Sequence, residues 1–194
     1  MTKIYLVWCA FVLNLLFCRV GVAETKADQQ VEFKNITVAR AGNQIISSRD
    51  VVVSAVISRW LDSKEKGNSK FSSEWILSMH SKDFRLSQTE VLSEVVLGLE
   101  ADSFGVAEVS LELIKKLSSN FIEESKKWKD WKKLDVTQGE VEKTLVRKMR
   151  AKSFLSFRSD ANGSKDLNEA GTKSWMDSLR KKYRAKNLFS PKLR

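Results

Sequence analysis

The sequence of 194 residues is poor in the side chains that build most catalytic and metal sites. It has one histidine, His80, and two cysteines, Cys9 and Cys18. A single histidine cannot supply a multi-histidine metal site, and without partners it completes no catalytic triad. The glycines are scattered rather than grouped into a phosphate-binding loop. We therefore expect a protein that is not an enzyme and that uses no metal and no cofactor.

Proline is equally scarce, with Pro191 as its single example. A turn-rich β-fold would use more proline, so the sequence points away from that class. Hydrophobic residues make up 42% of the chain and charged residues 30%, a balance that permits a packed core. At about 100–200 residues per domain, the length predicts one domain, with or without an appendage.

Residues 1–23 have the composition of a secretory signal peptide. Lys3 supplies the positive charge, and residues 4–17 form an apolar run that only Asn14 interrupts. Gly21 and Ala23 are the small residues that a signal peptidase recognises. We therefore expect cleavage after Ala23 and export to the periplasm.

The alternatives to a cleaved signal peptide are an uncleaved membrane anchor and a lipidated Cys18. The apolar run is shorter than the roughly 20 residues that span a bilayer, and Arg19 closes it. Phe17 precedes Cys18 at a position where lipoprotein signals usually carry a small residue. Because both cysteines lie in this segment, the chain after Ala23 is expected to use no disulfide, thiol catalysis or thiolate metal site.

The remaining residues predict a mainly α-helical fold, with several helices behind a small N-terminal β-hairpin. Residues 36–41 and 44–46 are largely β-branched and flank Gly42-Asn43, a pair that tolerates the positive φ of a tight turn. A two-stranded hairpin is marginal in water and needs a partner. We therefore expect residues 185–189 to form a third strand that joins it.

Helix boundaries are predicted from caps and from apolar periodicity. Capping boxes at Ser47–Asp50, Ser87–Glu90 and Thr137–Glu140 each predict a helix start. Phe104-Gly105 breaks the apolar pattern. Apolar residues at three- and four-residue steps then predict another helix that begins at Val106 and runs as far as Trp131. The same periodicity predicts the last helix over residues 167–183.

These signals divide the chain into four parts. The signal peptide, residues 1–23, precedes a helical core with the hairpin, residues 24–158. A polar linker over 159–165 then leads to the last helix and basic tail, 166–194, which we expect to pack on the core. Charge is uneven: the whole chain carries +10, and residues 165–194 alone contain nine bases and three acids, a net charge of +6.

Three segments together resemble the SurA-type periplasmic chaperones. The first is the strand-turn-strand opening, carried by Ala39, Arg40, Asn43, Ile45, Ile46, Ser47 and Asp50. The second is a capped amphipathic helix, carried by Thr137, Glu140, Val141, Leu145, Arg147, Met149, Arg150, Phe154 and Leu155. The third is the closing helix, carried by Trp175, Met176, Leu179 and Arg180. The resemblance covers most of residues 36–187.

The resemblance implies the chaperone core of that family, closed by a C-terminal strand and lacking its parvulin-type prolyl isomerase domain. Such a core would hold unfolded or nascent envelope polypeptides. Contacts with those clients are expected in the region of short helix and polar loops that begins at Phe71. The candidate client-binding residues are Phe71, Trp75, Met79 and Phe84.

A second hypothesis is a basic envelope protein that docks on an anionic glycan, lipid headgroup or other anionic partner through the C-terminal region of residues 165–194, whose net charge is +6. Export argues against nucleic acid as that partner. The run at residues 126–133 alternates lysine with tryptophan, which also suits a helix end because cations complement its dipole. The candidate anion-contacting residues are Lys126, Lys127, Trp128, Lys129, Trp131, Lys132 and Lys133.

Overall fold

The structure, a computed structural model, describes residues 35–67, 71–106, 108–161 and 169–190. The predicted signal peptide and its cleavage after Ala23 lie outside the described residues, as does most of the predicted linker. Within the described ranges the chain forms six α-helices, one 3-10 turn and three short strands. The mainly helical fold with a small sheet near the N-terminus is therefore confirmed.

The sheet is built around the first strand. Strands β1 (Thr37–Ala41) and β2 (Gln44–Ser47) form the predicted antiparallel hairpin, and Gly42 in its turn has φ +55°. Strand β3 (Lys186–Asn187) pairs antiparallel with the other edge of β1, which gives the order β2-β1-β3. A C-terminal strand that joins the hairpin is therefore confirmed, although it is shorter than the predicted residues 185–189.

The helices enclose a single apolar core. They are α1 (Ser48–Glu65), α2 (Lys82–Phe104), α3 (Leu111–Ser125), α4 (Lys129–Lys133), α5 (Gln138–Ala161) and α6 (Glu169–Lys182), and a 3-10 turn spans Ser73–Trp75. Helix α2 lies at the centre, where it packs against α1, α5, α6 and the sheet. The described residues belong to one compact unit.

Two of the three predicted capping boxes are present. At α1, the Asp50 N–H donates to Ser47 Oγ at 3.1 Å, and the Ser47 N–H donates to Asp50 Oδ2 at 2.9 Å. At α5, Thr137 and Glu140 make the same reciprocal pair, at 3.2 Å and 2.8 Å. These bonds satisfy backbone donors that a helix start leaves without an intrahelical partner.

The predicted start at Ser87–Glu90 was wrong, because this stretch lies inside α2. Helix α2 begins six residues earlier, where Ser81 Oγ accepts from the Phe84 N–H at 3.0 Å. Ser87 is followed by three residues that fit either a cap or a helix interior, and the buried Phe84 extends the apolar face toward the N-terminus. Tertiary packing therefore decided the boundary.

Other boundaries also shifted. The helix predicted from Val106 begins only at Leu111, capped by Ser110, and it ends at Ser125 instead of running through to Trp131. Helix α5 continues to Ala161, so the first residues of the predicted linker are helical. Gly105, with φ +63°, ends α2 where the sequence predicted a break, because this left-handed conformation suits glycine.

A buried amide joins the sheet to α2. Gln88 is 2% exposed, and its Nε2 lies 2.8 Å from the Val38 carbonyl oxygen and 3.2 Å from the Phe189 carbonyl oxygen. The same nitrogen lies 3.3 Å from Asn187 Oδ1. This one side chain therefore links the first strand, the last strand and the central helix.

Helix α6 packs against α2 through both apolar and charged contacts. Leu179 is buried, and Lys182 Nζ and Tyr183 Oη each lie 2.5 Å from a carboxylate oxygen of Glu100. Burial alone would raise the pKa of Glu100, but the hydrogen bonds from Lys182 and Tyr183 outweigh it and lower that pKa. The carboxylate is therefore held ionised where α6 meets α2.

Replacing Leu188 by Pro should loosen the hairpin as well as the tail. The Leu188 N–H donates to the Val38 carbonyl at 2.8 Å, and proline lacks that donor and fixes φ. We expect faster amide hydrogen exchange across Val38–Ile46 by mass spectrometry, because β1 would lose one of its two partners. The control Leu188→Ala keeps the donor and should leave that exchange unchanged. Faster exchange confined to the tail would contradict the pairing.

Replacing Glu140 by Gln should lower stability in a pH-dependent way. Arg49 Nε lies 2.6 Å from Glu140 Oε1, and this hydrogen bond is the main reason that the pKa of Glu140 falls from 4.5 to about 2. A lowered folded-state pKa stabilises the protein above pH 4.5, and the contribution is lost as the pH falls toward 2.

The expected cost of Glu140→Gln at neutral pH is about 1 kcal/mol, because the carboxylate is partly exposed and water screens the pair. Urea unfolding from neutral pH down to about pH 2 measures it, and the difference from the unchanged protein should vanish at the acid end. The control Glu108→Gln removes an exposed carboxylate with no ion pair among the described residues. An equal loss from both variants, or a loss independent of pH, would contradict the account.

Candidate functional site

The structure brings together three aromatic residues from two segments that the sequence treated separately. Phe71 contacts Trp75, with ring centroids 5.3 Å apart, and both contact Trp128. The Trp75 and Trp128 rings meet edge to face, with centroids 5.5 Å apart. All three side chains are partly exposed. We call Phe71, Trp75 and Trp128 the aromatic cluster.

The aromatic cluster rests on buried rings. Phe71 packs edge-on against Phe121, which is fully buried, at a centroid distance of 6.1 Å. Phe121 in turn contacts Trp60 at 5.2 Å and Trp131 at 5.0 Å, again edge to face. Edge-to-face pairs are favourable because the positive rim of one ring meets the negative face of the next. The cluster is therefore the exposed end of an aromatic stack anchored in the core.

Local backbone structure positions the three rings. Trp75 ends the 3-10 turn between α1 and α2, which Ser72 caps by accepting from the Glu74 N–H at 3.3 Å. Trp128 lies between α3 and α4, where its N–H donates to the Ser125 carbonyl at 2.9 Å. Both tryptophans therefore lie where helices end, and both stay partly exposed.

A shallow groove lies on each side of the aromatic cluster. The first has a volume of about 560 Å³ and is lined by Arg59, Asp62, Ser63, Lys66, Glu74, Trp75 and Asp83. The second has a volume of about 470 Å³ and is lined by Lys64, Phe71, Glu123, Glu124, Lys127 and Trp128. Each groove combines aromatic surface with charges of both signs.

Glu124 keeps its charge beside the cluster. Burial would raise its pKa, but hydrogen bonds from Lys64, 2.6 Å away, and from Trp60 Nε1, 3.0 Å away, lower it overall. The Glu124 carboxylate thus neutralises Lys64 and fixes the edge of the buried Trp60 ring. The second groove is therefore close to charge balance rather than strongly basic.

Two of the four client-binding candidates, Phe71 and Trp75, belong to the aromatic cluster. Met79 is partly exposed and packs against the core. Phe84 is fully buried, with its ring 6.3 Å from that of Phe189. Phe84 is therefore a core residue, and its prediction as a surface contact is wrong. The reason is that the Ser81 cap starts α2 early, so that Phe84 lies on the buried side of that helix.

The basic run separates into unlike parts. Trp131 is 4% exposed and lies in the core. Its prediction as a contact for an anionic partner is therefore wrong. Lys126 pairs with Glu123 at 2.5 Å, and Lys133 pairs with Asp130 at 3.1 Å. Three exposed lysines have no ion pair within the described ranges: Lys127, Lys129 and Lys132.

Sequence reasoning missed how Trp128 is used. It was grouped with its lysine neighbours, whereas its ring contacts residues more than fifty positions earlier. It also missed Lys64 and Glu124, which charge the rim of the second groove. The four-residue spacing of Phe71 and Trp75 was the available signal for part of the cluster.

The described part of the chain contains no group of three or more His, Cys, Asp or Glu side chains that could hold a metal ion. Its helices include none with the length and apolar character needed to cross a membrane. Comparisons with protein-family models, curated proteins and solved structures found no match. The resemblance to SurA-type chaperones therefore stays a prediction from sequence.

Proposed function

We propose that the protein is a holdase-type chaperone of the periplasm, which binds unfolded outer-membrane or secreted polypeptides without isomerase activity. The observation that carries the proposal is the aromatic cluster, three partly exposed rings set between two open grooves. An aromatic side chain offers a large contact area and has few rotatable bonds to immobilise. Such a surface binds apolar segments of many sequences.

The grooves suit side chains of an extended client. Their volumes fall within the range of about 300–1,000 Å³ typical of ligand-binding clefts, but both are open and carry charges of both signs. A client would gain apolar contact on the rings and would meet either charge at the rim. This combination favours weak, sequence-tolerant binding over recognition of one ligand.

The length of the connection between α5 and α6 supports a chaperone without an isomerase domain. The segment between them, residues 162–168, is far shorter than the roughly 50 residues of the smallest ordinary domains. The family that the sequence resembles carries its parvulin-type domains around this core. We therefore assign no proline isomerisation to this chain.

The test is suppression of aggregation of a urea-unfolded outer-membrane protein on dilution, followed by light scattering. The protein and its Trp75→Ser/Trp128→Ser variant are compared at about 0.05 M and about 0.5 M salt, since salt screens exposed charges. Leu111→Ser is the matched control, because Leu111 is 69% exposed and lies outside the cluster. Trp75→Phe/Trp128→Phe keeps the aromatic surface if the serine variant misfolds.

We expect suppression at both salt concentrations. The serine variant should need about tenfold more protein for half suppression, which corresponds to a loss of roughly 1.4 kcal/mol of binding free energy. Leu111→Ser should behave like the unchanged protein, and the phenylalanine variant should retain most activity. Suppression that disappears at high salt would instead favour electrostatic docking, and suppression that is equal in all variants would remove the aromatic cluster from the mechanism.

A further inference from the structure

A strongly basic groove lies at the junction of the sheet and the end of α6, away from the aromatic cluster. Its volume is about 510 Å³. The groove is lined by Arg40, Arg180, Lys181, Arg184, Ala185 and Lys186. Five of these six residues are cationic and none is acidic. We call this surface the basic groove.

Packing of the sheet does not account for the charges in the basic groove. Arg40 on β1 pairs directly with Lys186 on β3, and like charges opposite each other on antiparallel strands repel. Arg180 has a partner in Asp177 at 3.3 Å. Arg40, Lys181, Arg184 and Lys186 have no ion pair among residues 35–190 as far as the structure describes them.

The backbone conformation at Arg184 also indicates that local stability does not account for the charges in the basic groove. Helix α6 ends in a Schellman motif, in which the Ala185 N–H donates to the Arg180 carbonyl at 2.8 Å and the Arg184 N–H to the Lys181 carbonyl at 3.1 Å. Arg184 takes the left-handed position with φ +50°, where glycine or asparagine is the favoured residue. An arginine at this position adds charge to the groove at the expense of local stability.

Exposed aliphatic side chains adjoin the basic groove. Ile45 on β2 pairs directly with Arg40, so the two side chains share one face of the sheet, and Ile45 is 65% exposed. Leu188, which follows β3 directly, is 54% exposed. A soluble anion would gain nothing from these side chains. A lipid surface would, because headgroups attract the bases while the layer below accepts aliphatic groups.

We propose that the basic groove, with Ile45 and Leu188 beside it, docks this protein on a membrane surface rich in anionic phospholipids. The bases would contact headgroup phosphates from β1, β3 and the end of α6 together. The two aliphatic side chains would enter the boundary between headgroups and acyl chains. This inference is independent of client binding, because it uses a different surface.

Flotation with vesicles tests the proposal. The chain of residues 24–194 is used, since it retains every described contact and lacks the apolar run at 4–17, which could bind lipid by itself. Its circular dichroism is first compared with that of the full chain. Vesicles contain equal parts of phosphatidylglycerol and phosphatidylcholine, or phosphatidylcholine alone. Heparin binding serves as the probe for a soluble polyanion.

Two matched variants remove the same charge from different surfaces. Arg40→Gln/Lys186→Gln alters the basic groove, and Lys132→Gln/Lys133→Gln alters the basic run. Each base that lies close to an anionic membrane adds to the free energy of binding. The first variant should therefore weaken vesicle binding about tenfold or more. The second variant should weaken it less than about twofold, because its lysines lie outside the basic groove. The first variant should also be no less stable in urea, because it removes a like-charge pair.

A third variant separates lipid from soluble anions. Ile45→Ser/Leu188→Ser should weaken binding to the anionic vesicles and leave heparin binding unchanged. Equal losses from the two charge variants would mean that only net charge matters, which overturns the proposal. If the Ile45→Ser/Leu188→Ser variant binds the anionic vesicles as tightly as the unchanged protein, the groove would be a site for a soluble anion, which also overturns the proposal. Equal binding to vesicles without phosphatidylglycerol would overturn it as well.

Discussion

The side-chain amide of Gln88 holds the two ends of the described chain against the middle of its sequence. It is buried in α2, and it reaches the carbonyls of Val38 and Phe189 and the side chain of Asn187. A buried amide that loses its partners costs far more than an exposed one, since water cannot replace them. The first strand, the last strand and the central helix therefore constrain one another.

The basic groove depends on that constraint. Pairing of β3 with β1 sets Lys186 beside Arg40 and brings the end of α6 to the sheet, which creates the basic groove. The aromatic cluster forms elsewhere, where Trp75 at the end of the turn between α1 and α2 meets Phe71 and Trp128. The two surfaces are thus separate products of one scaffold, and each can be altered without the other.

Local signals in the sequence predicted local structure well. The hairpin, the Ser47 and Thr137 caps and the break at Gly105 each follow from a few neighbouring residues. The box at Ser87 failed because the same residue types fit a helix interior once Phe84 is buried. The sequence indicated a basic C-terminal region, but not that Arg40 joins it in the basic groove. The aromatic cluster could not be predicted either, because it too joins residues far apart in the chain. Nothing in the lysine-rich run indicated that Trp131 would be buried while Trp128 met Phe71.

The free energy of unfolding of Gln88→Ala, measured with urea beside Thr89→Ala, tests the central claim most directly. Thr89 is the exposed neighbour on the same helix, and its hydroxyl donates only to the Arg85 carbonyl. The account predicts a loss of about 2–4 kcal/mol for Gln88→Ala, from the cavity and the unsatisfied carbonyls, and less than about 0.5 kcal/mol for Thr89→Ala. Equal and small losses in both variants would contradict it, because the ends of the chain would then be held without this amide.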